Sequence, residues 1–202
     1  MAVTAVVFDV GETLVDETAA WTALAVAAGV PCLALFGVLG GLAAAGEDHR
    51  LAFEILGIEA PPWDGYSPTD LYPDVLPCLE RLRVEGYVVG IAGNQPASCE
   101  AFLNEAGVDV DFVASSSAWH VEKPAPAFFE RVVTETGLPP AEIAYVGDRV
   151  DNDVVPAANA GMVAVHVRRG PWGYLQARWP EVERAAIRVD SLAELPEALA
   201  HV

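Results

Sequence analysis

Two kinds of hydrophobic pattern alternate along this chain. Short, fully apolar runs predict strands that are buried on both faces of a sheet. They cover residues 4–10, 87–92, 112–115, 143–146, 163–167 and 186–189. Segments whose apolar residues recur every three or four positions predict helices, several of which end at a glycine. They cover residues 72–85, 96–106, 126–136, 153–160 and 192–200. Regular alternation of this kind predicts an α/β fold, a Rossmann-like parallel sheet with helices on both faces.

One segment interrupts the alternation, because residues 19–46 contain no charged side chain. Its length and hydropathy make it a candidate membrane span. Gly29-Val30-Pro31 divides it into two shorter helical pieces, however, and acidic residues flank it on both sides. We therefore expect residues 16–71 to be a small all-helical insertion, and residues 1–15 and 72–202 to form the α/β core.

The insertion is too apolar to bury all of its hydrophobic side chains within itself. Part of that surface is expected to pack on the core or on a ligand. The rest could form a contact between two copies of the chain, so a homodimer through the insertion and a monomer are alternative hypotheses.

Composition narrows the choice of partner and compartment. The 202 residues carry a formal net charge of −18, which would repel nucleic acid and anionic membrane surfaces. The cysteines are three in number (Cys32, Cys78 and Cys99) and include no Cys-x-x-Cys pair, which predicts free thiols in a reducing compartment. The apolar N-terminus has no basic start and is expected to be a strand, not a signal peptide. These features predict a cytoplasmic protein.

The candidate chemistry lies at the ends of predicted strands, where α/β sheets bind their ligands. Asp9 ends the first strand, and Asp148 follows the strand at 143–146. Asp151 and Asp153 come next, and a cluster of carboxylates suits Mg²⁺. A helix N-terminus alone would explain Asp151 or Asp153, but not an acid at the strand end.

The order of these groups is informative. Asp9 is followed by the polar turn Gly93-Asn94, then by Lys123 in Glu122-Lys123-Pro124, and then by Gly147-Asp148-x4-Asp153. This series resembles the haloacid dehalogenase (HAD) superfamily, in particular its phosphatase-like branch with a helical cap inserted after the first motif. The resemblance covers residues 1–15 and about 72–170, and residues 145–162 are its most specific part.

The resemblance implies a role for each motif residue. Asp9 would be the nucleophile that forms an aspartyl-phosphate, and Lys123 would bind Asp9 and the transferring group. Asp9, Asp148 and the main-chain carbonyl of Gly11 would hold Mg²⁺, with Asp153 supporting the site directly or through water. Main-chain N–H groups at Gly93 and Asn94 would cradle the anion. The substrate would be a small phosphomonoester, and residues 16–71 would be the cap that closes over it.

Two positions depart from the family pattern. The family's phosphatases carry a second Asp two positions after the nucleophile as general acid and base, and here that position is Gly11. The adjacent Glu12 is expected to point elsewhere. The usual hydroxyl residue after the second strand is replaced by Gly93. A weak Mg²⁺-dependent phosphatase, a dehalogenase-type hydrolase and a degenerate member that binds a ligand or partner are therefore the three open readings.

Overall fold

The computed structural model describes residues 2–63 and 65–202, and its centre is a six-stranded sheet. The strands, all parallel to their neighbours, lie in the order β3-β2-β1-β4-β5-β6. Their bounds are β1 Ala5–Phe8, β2 Val88–Gly93, β3 Phe112–Ser115, β4 Ile143–Gly147, β5 Val163–Val167 and β6 Ile187–Val189. The order reverses at β1, so β2, β1 and β4 lie side by side at the switch point where such sheets bind ligands.

Ten α-helices are assigned in the described part of the chain. They are α1 Thr18–Ala27, α2 Cys32–Ala45, α3 Leu51–Ile55, α4 Val75–Val84, α5 Cys99–Glu105, α6 Ser116–Trp119, α7 Pro126–Thr136, α8 Val155–Asn159, α9 Gly170–Gln176 and α10 Leu195–Leu199. Short 3₁₀ segments occur at Pro68–Asp70, Pro140–Glu142, Pro180–Arg184 and Leu192–Glu194, and a wide π turn spans Val150–Val154.

Helices cover both faces of the sheet, because alternate residues of each buried strand point to opposite sides. Val6 and Phe8 of β1 belong to one apolar cluster, which also contains residues of α4, α5 and α10. Ala5 and Val7 belong to the other, which contains residues of α7 and α8. The predicted α/β fold with a parallel sheet is confirmed.

The helices α1, α2 and α3 lie between β1 and α4 in the chain and form a third apolar cluster. The predicted break is present: α1 ends at Ala27, and Pro31 precedes α2. Leu35 and Leu39 of α2 pack in this cluster with Trp172 of α9, a helix from the other end of the chain. No helix in residues 2–63 and 65–202 has the length and apolar character needed to cross a membrane.

The strands lie where the sequence predicts them, with ends that move by one or two residues. The helices differ more from the prediction: α4 and α5 begin three residues later than predicted, the segment predicted as a helix over 192–200 begins as 3₁₀, and α6 was not predicted. The segment predicted as a helix over 153–160 is preceded and overlapped by the π turn at Val150–Val154, in which the Asp153 carboxylate accepts from the Arg149 N–H at 2.9 Å. Helix α9 was not predicted, because Gly170-Pro171 and Gly173 are residues typical of loops.

Candidate active site

Acidic side chains meet at the carboxyl edge of the three central strands. Asp9 directly follows β1, and Asp148 directly follows β4. Asp153 joins them from the π turn, and one carboxylate oxygen from each of the three lies within 4.8 Å of the others. All three side chains are buried. The structure therefore brings these three acids together at one edge of the sheet.

Lys123 is the cation at the centre of this cluster. Its ammonium nitrogen lies 2.6 Å from Asp9 Oδ1 and 2.6 Å from Asp153 Oδ1. The side-chain amide of Asn94 holds the Lys123 main chain, accepting from its N–H at 2.8 Å and donating to its carbonyl at 3.0 Å. Burial by itself would lower the pKa of Lys123, but Asp153 and Asp9 raise it well above its usual value. Lys123 therefore stays protonated.

Asp153 is held inside the protein through both of its carboxylate oxygens. Oδ1 accepts from Lys123 Nζ at 2.6 Å, and Oδ2 accepts from the Arg149 N–H at 2.9 Å. The side chain packs against Gly147, where a Cβ atom would overlap it. Asp153 is thus positioned to orient Lys123 and the turn, and among the described residues it is not part of the cavity lining.

The carboxylates outnumber the cation within the cluster, and the pKa of Asp148 shows the consequence. Burial, followed by repulsion from Asp153 and Asp9, raises that pKa well above the usual value of an aspartate. A divalent cation would relieve this repulsion, and carboxylate oxygens are the ligands that Mg²⁺ prefers. The residues present therefore fit a divalent metal.

Both glycines that replace family side chains lie against carboxylates. A Cβ at Gly93 would come 2.5 Å from Asp9 Oδ1, so this glycine lets the Asp9 side chain lie over the end of β2. A Cβ at Gly11 would come 2.7 Å from Glu17 Oε1. The space beside Gly11 is therefore filled by a carboxylate from the start of α1.

A cavity of about 750 Å³ opens between the insertion and this edge of the sheet. Asp9, Lys123 and Asp148 line it from the core. Its opposite wall is largely aromatic and is formed by Trp21, His49, Phe53, Trp63, Tyr66 and Trp172. The arginines in the lining are paired with acids, Arg50 with Asp48 and Arg149 with Asp151.

Glu12 and Glu17 also face the cavity, and sequence reasoning missed both. Glu12, whose side chain the sequence analysis expects to point elsewhere, contributes to the cavity wall. A left-handed backbone (φ 51°) turns this residue so that its carboxylate accepts from the Tyr72 hydroxyl at 2.7 Å. Burial and the nearby Glu17 raise the pKa of Glu12 to about 7. The only signal in the sequence was the absence of an acid at position 11, which could have prompted a search of nearby acids for a substitute.

Glu17 accepts hydrogen bonds from two aromatic side chains. The Tyr66 hydroxyl donates to Oε1, and Trp21 Nε1 donates to Oε2 at 3.1 Å. Burial raises the pKa of Glu17 above its usual value, although these hydrogen bonds act in the opposite direction. The carboxylate is thus fixed in place while remaining part of the cavity wall.

Comparison with known proteins agrees with the fold and the arrangement of acids. The family model for haloacid dehalogenase-like hydrolases matches residues 43–161, which is more than half of the sequence. This chain belongs to the haloacid dehalogenase-like hydrolase family.

Individual relatives include phosphatases and a dehalogenase. The glyceraldehyde 3-phosphate phosphatase of Methanopyrus kandleri is 38% identical over 110 residues, which are 53% of this chain and 47% of that protein. The (S)-2-haloacid dehalogenase 4A of Burkholderia cepacia is 29% identical over 140 residues, 67% of this chain and 58% of that protein. The chain thus spans about half the length of these relatives.

Among solved structures, a HAD phosphatase from Thermococcus onnurineus superposes with a TM-score of 0.66 at 25% identity. The superposition covers 98% of each chain. The likeness therefore extends over the insertion as well as the sheet.

Proposed function

We propose that this protein is a Mg²⁺-dependent phosphatase that acts on a small phosphomonoester through an aspartyl-phosphate on Asp9. The observation that carries the proposal is the position of Asp9. Its carboxylate lies on the floor of the cavity, 2.6 Å from the Lys123 ammonium and within the acidic cluster that includes Asp148. A nucleophilic carboxylate needs this combination of access and nearby positive charge to approach a phosphate.

Asp9, Asp148 and the Gly11 carbonyl would hold the metal, with Asp153 as support. A bound Mg²⁺ would neutralise negative charge on the phosphoryl oxygens. Lys123 would bind the same group and keep Asp9 oriented, while Asn94 fixes the Lys123 main chain and the turn after β2 receives the anion. The metal set and the anion site are those that the sequence predicts, and donor chemistry and burial support them.

Residues 16–71 would act as the cap that selects the substrate and excludes water. Because its cavity wall is aromatic, the organic part of the substrate would be bound by contact with ring faces and edges. The first natural substrates to test are glyceraldehyde 3-phosphate and phosphoglycolate, which the names of similar proteins provide.

The test measures phosphate release from p-nitrophenyl phosphate and from these two compounds, with Mg²⁺ and with EDTA. Asp9→Asn is the variant, and Asp109→Asn, an exposed acid at the opposite end of the sheet, is the matched control. We expect release that requires both Mg²⁺ and Asp9. Release by Asp9→Asn at the wild-type rate would refute the proposed nucleophile.

Two other results would redirect the assignment. Metal-independent chloride release from 2-chloropropionate, lost in Asp9→Asn, would indicate a dehalogenase, the reading that the relative in Burkholderia cepacia and the absence of an acid at Gly11 favour. Neither phosphate nor halide release above the Asp9→Asn background would indicate a degenerate member that binds a ligand or partner.

A further inference from the structure

Phosphoryl transfer to a carboxylate needs a second group that can exchange a proton. The leaving oxygen must be protonated, and the water that later attacks the intermediate must be deprotonated. Glycine at position 11 cannot do either. The carboxylates among the described cavity residues are the candidates, and they are Asp9, Glu12, Glu17, Asp48, Glu122, Asp148 and Asp151.

Most of these carboxylates have another task. Asp9 is paired with Lys123, and Asp148 belongs to the acidic cluster that would hold the metal. The next three are paired with arginines: Asp48 and Glu122 with Arg50, and Asp151 with Arg149. An adjacent cation stabilises the ionised carboxylate and opposes its protonation. Glu12 and Glu17 remain, since the partners that the structure gives them are neutral groups.

Hydrogen-bond chemistry is alike for these two. Glu12 accepts from the Glu17 main-chain N–H at 3.2 Å and from the Tyr72 hydroxyl at 2.7 Å, and Glu17 accepts from Trp21 Nε1 at 3.1 Å and from the Tyr66 hydroxyl. In each case the N–H can only donate, whereas the hydroxyl can donate to a carboxylate or accept from a carboxylic acid. Each tyrosine contact can therefore persist in both protonation states. The Glu12 side chain, in addition, packs against Gly170, where a Cβ would lie 2.5 Å away.

Position separates the two glutamates and favours Glu17. Its Oε1 lies 2.7 Å from the point where a side chain at position 11 would begin, two residues after the nucleophile. Glycine leaves that space open, and Glu17 fills it from the beginning of the insertion. Trp21, one helical turn further along α1, holds the other carboxylate oxygen. The Glu17 carboxyl group therefore lies at the carboxyl edge of the sheet, although it belongs to the insertion and not to the segment that directly follows β1.

We propose that Glu17 is the general acid and base of this enzyme, an assignment that rests on the proposed phosphatase function. In the first step an Asp9 oxygen bonds to phosphorus, the bond to the ester oxygen breaks, and that oxygen takes the electron pair and the proton of the Glu17 carboxyl group. In the second step a water oxygen bonds to phosphorus while Glu17 takes its proton. The bond between phosphorus and Asp9 breaks, which regenerates the Asp9 carboxylate and releases phosphate.

The experiment compares Glu17→Gln with wild type on p-nitrophenyl phosphate and phenyl phosphate, in steady state and by rapid quench with Mg²⁺. Asp16→Asn is the matched control, because its carboxylate caps the Thr18 N–H and is outside the described cavity lining. Nitrophenolate leaves without protonation, whereas phenolate needs an acid. We expect kcat/KM to fall by about 10²–10⁴ with phenyl phosphate and far less with p-nitrophenyl phosphate.

The second step gives an independent readout. Without a base to activate water, Glu17→Gln should release nearly one equivalent of nitrophenolate per active site in a burst and then turn over slowly. The burst also counts folded sites, so it distinguishes a lost proton carrier from a misfolded variant. Asp16→Asn should behave as wild type.

Equal losses with both substrates, or a loss without a burst, would overturn the assignment of Glu17 and leave the phosphatase function intact. Wild-type protein that releases no phosphate from any of the substrates would overturn the phosphatase function, and the assignment of Glu17 with it.

Discussion

Gly147 is the last residue of β4, and replacing it with alanine tests whether the site depends on close packing behind the nucleophile. The added Cβ would overlap Cγ and Oδ2 of Asp153 and would lie 2.5 Å from the Cβ of Asp153, whereas ordinary contact begins at 3.4 Å. Asp153 or β4 must therefore move by at least about 0.9 Å, because the surrounding interior is close-packed and has no space to absorb a methyl group. Such a shift would break at least one of the two hydrogen bonds that hold Asp153.

The displacement determines the expected loss of stability and the expected loss of catalytic rate. Overpacking of a buried site costs about 1–3 kcal/mol. For a domain of this size each kcal/mol lowers the melting temperature by about 2–4 °C, so a fall of about 5 °C is expected. Asp153 is one of the two carboxylates that hold Lys123, so its shift would displace the ammonium group. A misplacement of about 1 Å in a reacting group costs roughly 10²-fold in rate. We therefore expect kcat with p-nitrophenyl phosphate to fall about 10²-fold.

Differential scanning calorimetry and steady-state kinetics measure the two quantities on the same preparation. Gly41→Ala in α2 is the matched control, because nothing lies within 4 Å of its added Cβ. That change should leave kcat unaltered and stabilise the helix by about 0.5–1 kcal/mol. If Gly147→Ala kept both the wild-type melting temperature and the wild-type kcat, the packing argument would be refuted.

Three further predictions concern the charges and the insertion. Lys123→Met should cost about 3–5 kcal/mol in urea unfolding, because it leaves buried carboxylates without their cation; an unchanged midpoint would contradict this. Asp148→Asn should raise the melting temperature in EDTA, since the raised pKa of Asp148 means that its ionised form destabilises the fold near neutral pH. The same variant should lose the rise that Mg²⁺ gives the wild type, so a retained rise would argue against Asp148 as a ligand. If two copies associate through the insertion, Leu33→Glu, at a side chain 84% exposed, should reduce the mass measured by light scattering to that of a monomer; a wild-type protein already monomeric at micromolar concentration would remove the hypothesis.

The sheet could be predicted because its signal is local. Each strand is a short apolar run, and two acids of the cluster, Asp9 and Asp148, directly follow strands. Parallel strands bring their carboxyl ends to one edge, so a correct list of strands already places these side chains together. Lys123 was found by its order along the chain relative to those acids.

Other parts of the site could not be predicted, because they depend on contacts between distant segments. The Glu17 carboxylate is held by a hydrogen bond from the hydroxyl of Tyr66, which lies 49 residues further along the chain. Glu12 faces the cavity because of a left-handed backbone that its residue type does not favour. In the π turn, Asp153 contacts Lys123 and Gly147, which are distant or outside the turn. The local sequence pattern at 153–160 does not reveal these contacts and is typical of an ordinary helix.

The packing of α9 against α2 has a consequence for engineering. Trp172 on α9 completes the apolar cluster of the insertion and also contacts His49 edge to face, with ring centroids 6.1 Å apart. It lies under the Arg149 guanidinium as well, at 5.2 Å. If residues 16–71 were transferred alone to a related sheet, the apolar surface that Trp172 covers in this protein would be exposed. The unit to exchange when recombining specificities is the insertion together with α9, two pieces of chain separated by about a hundred residues of scaffold.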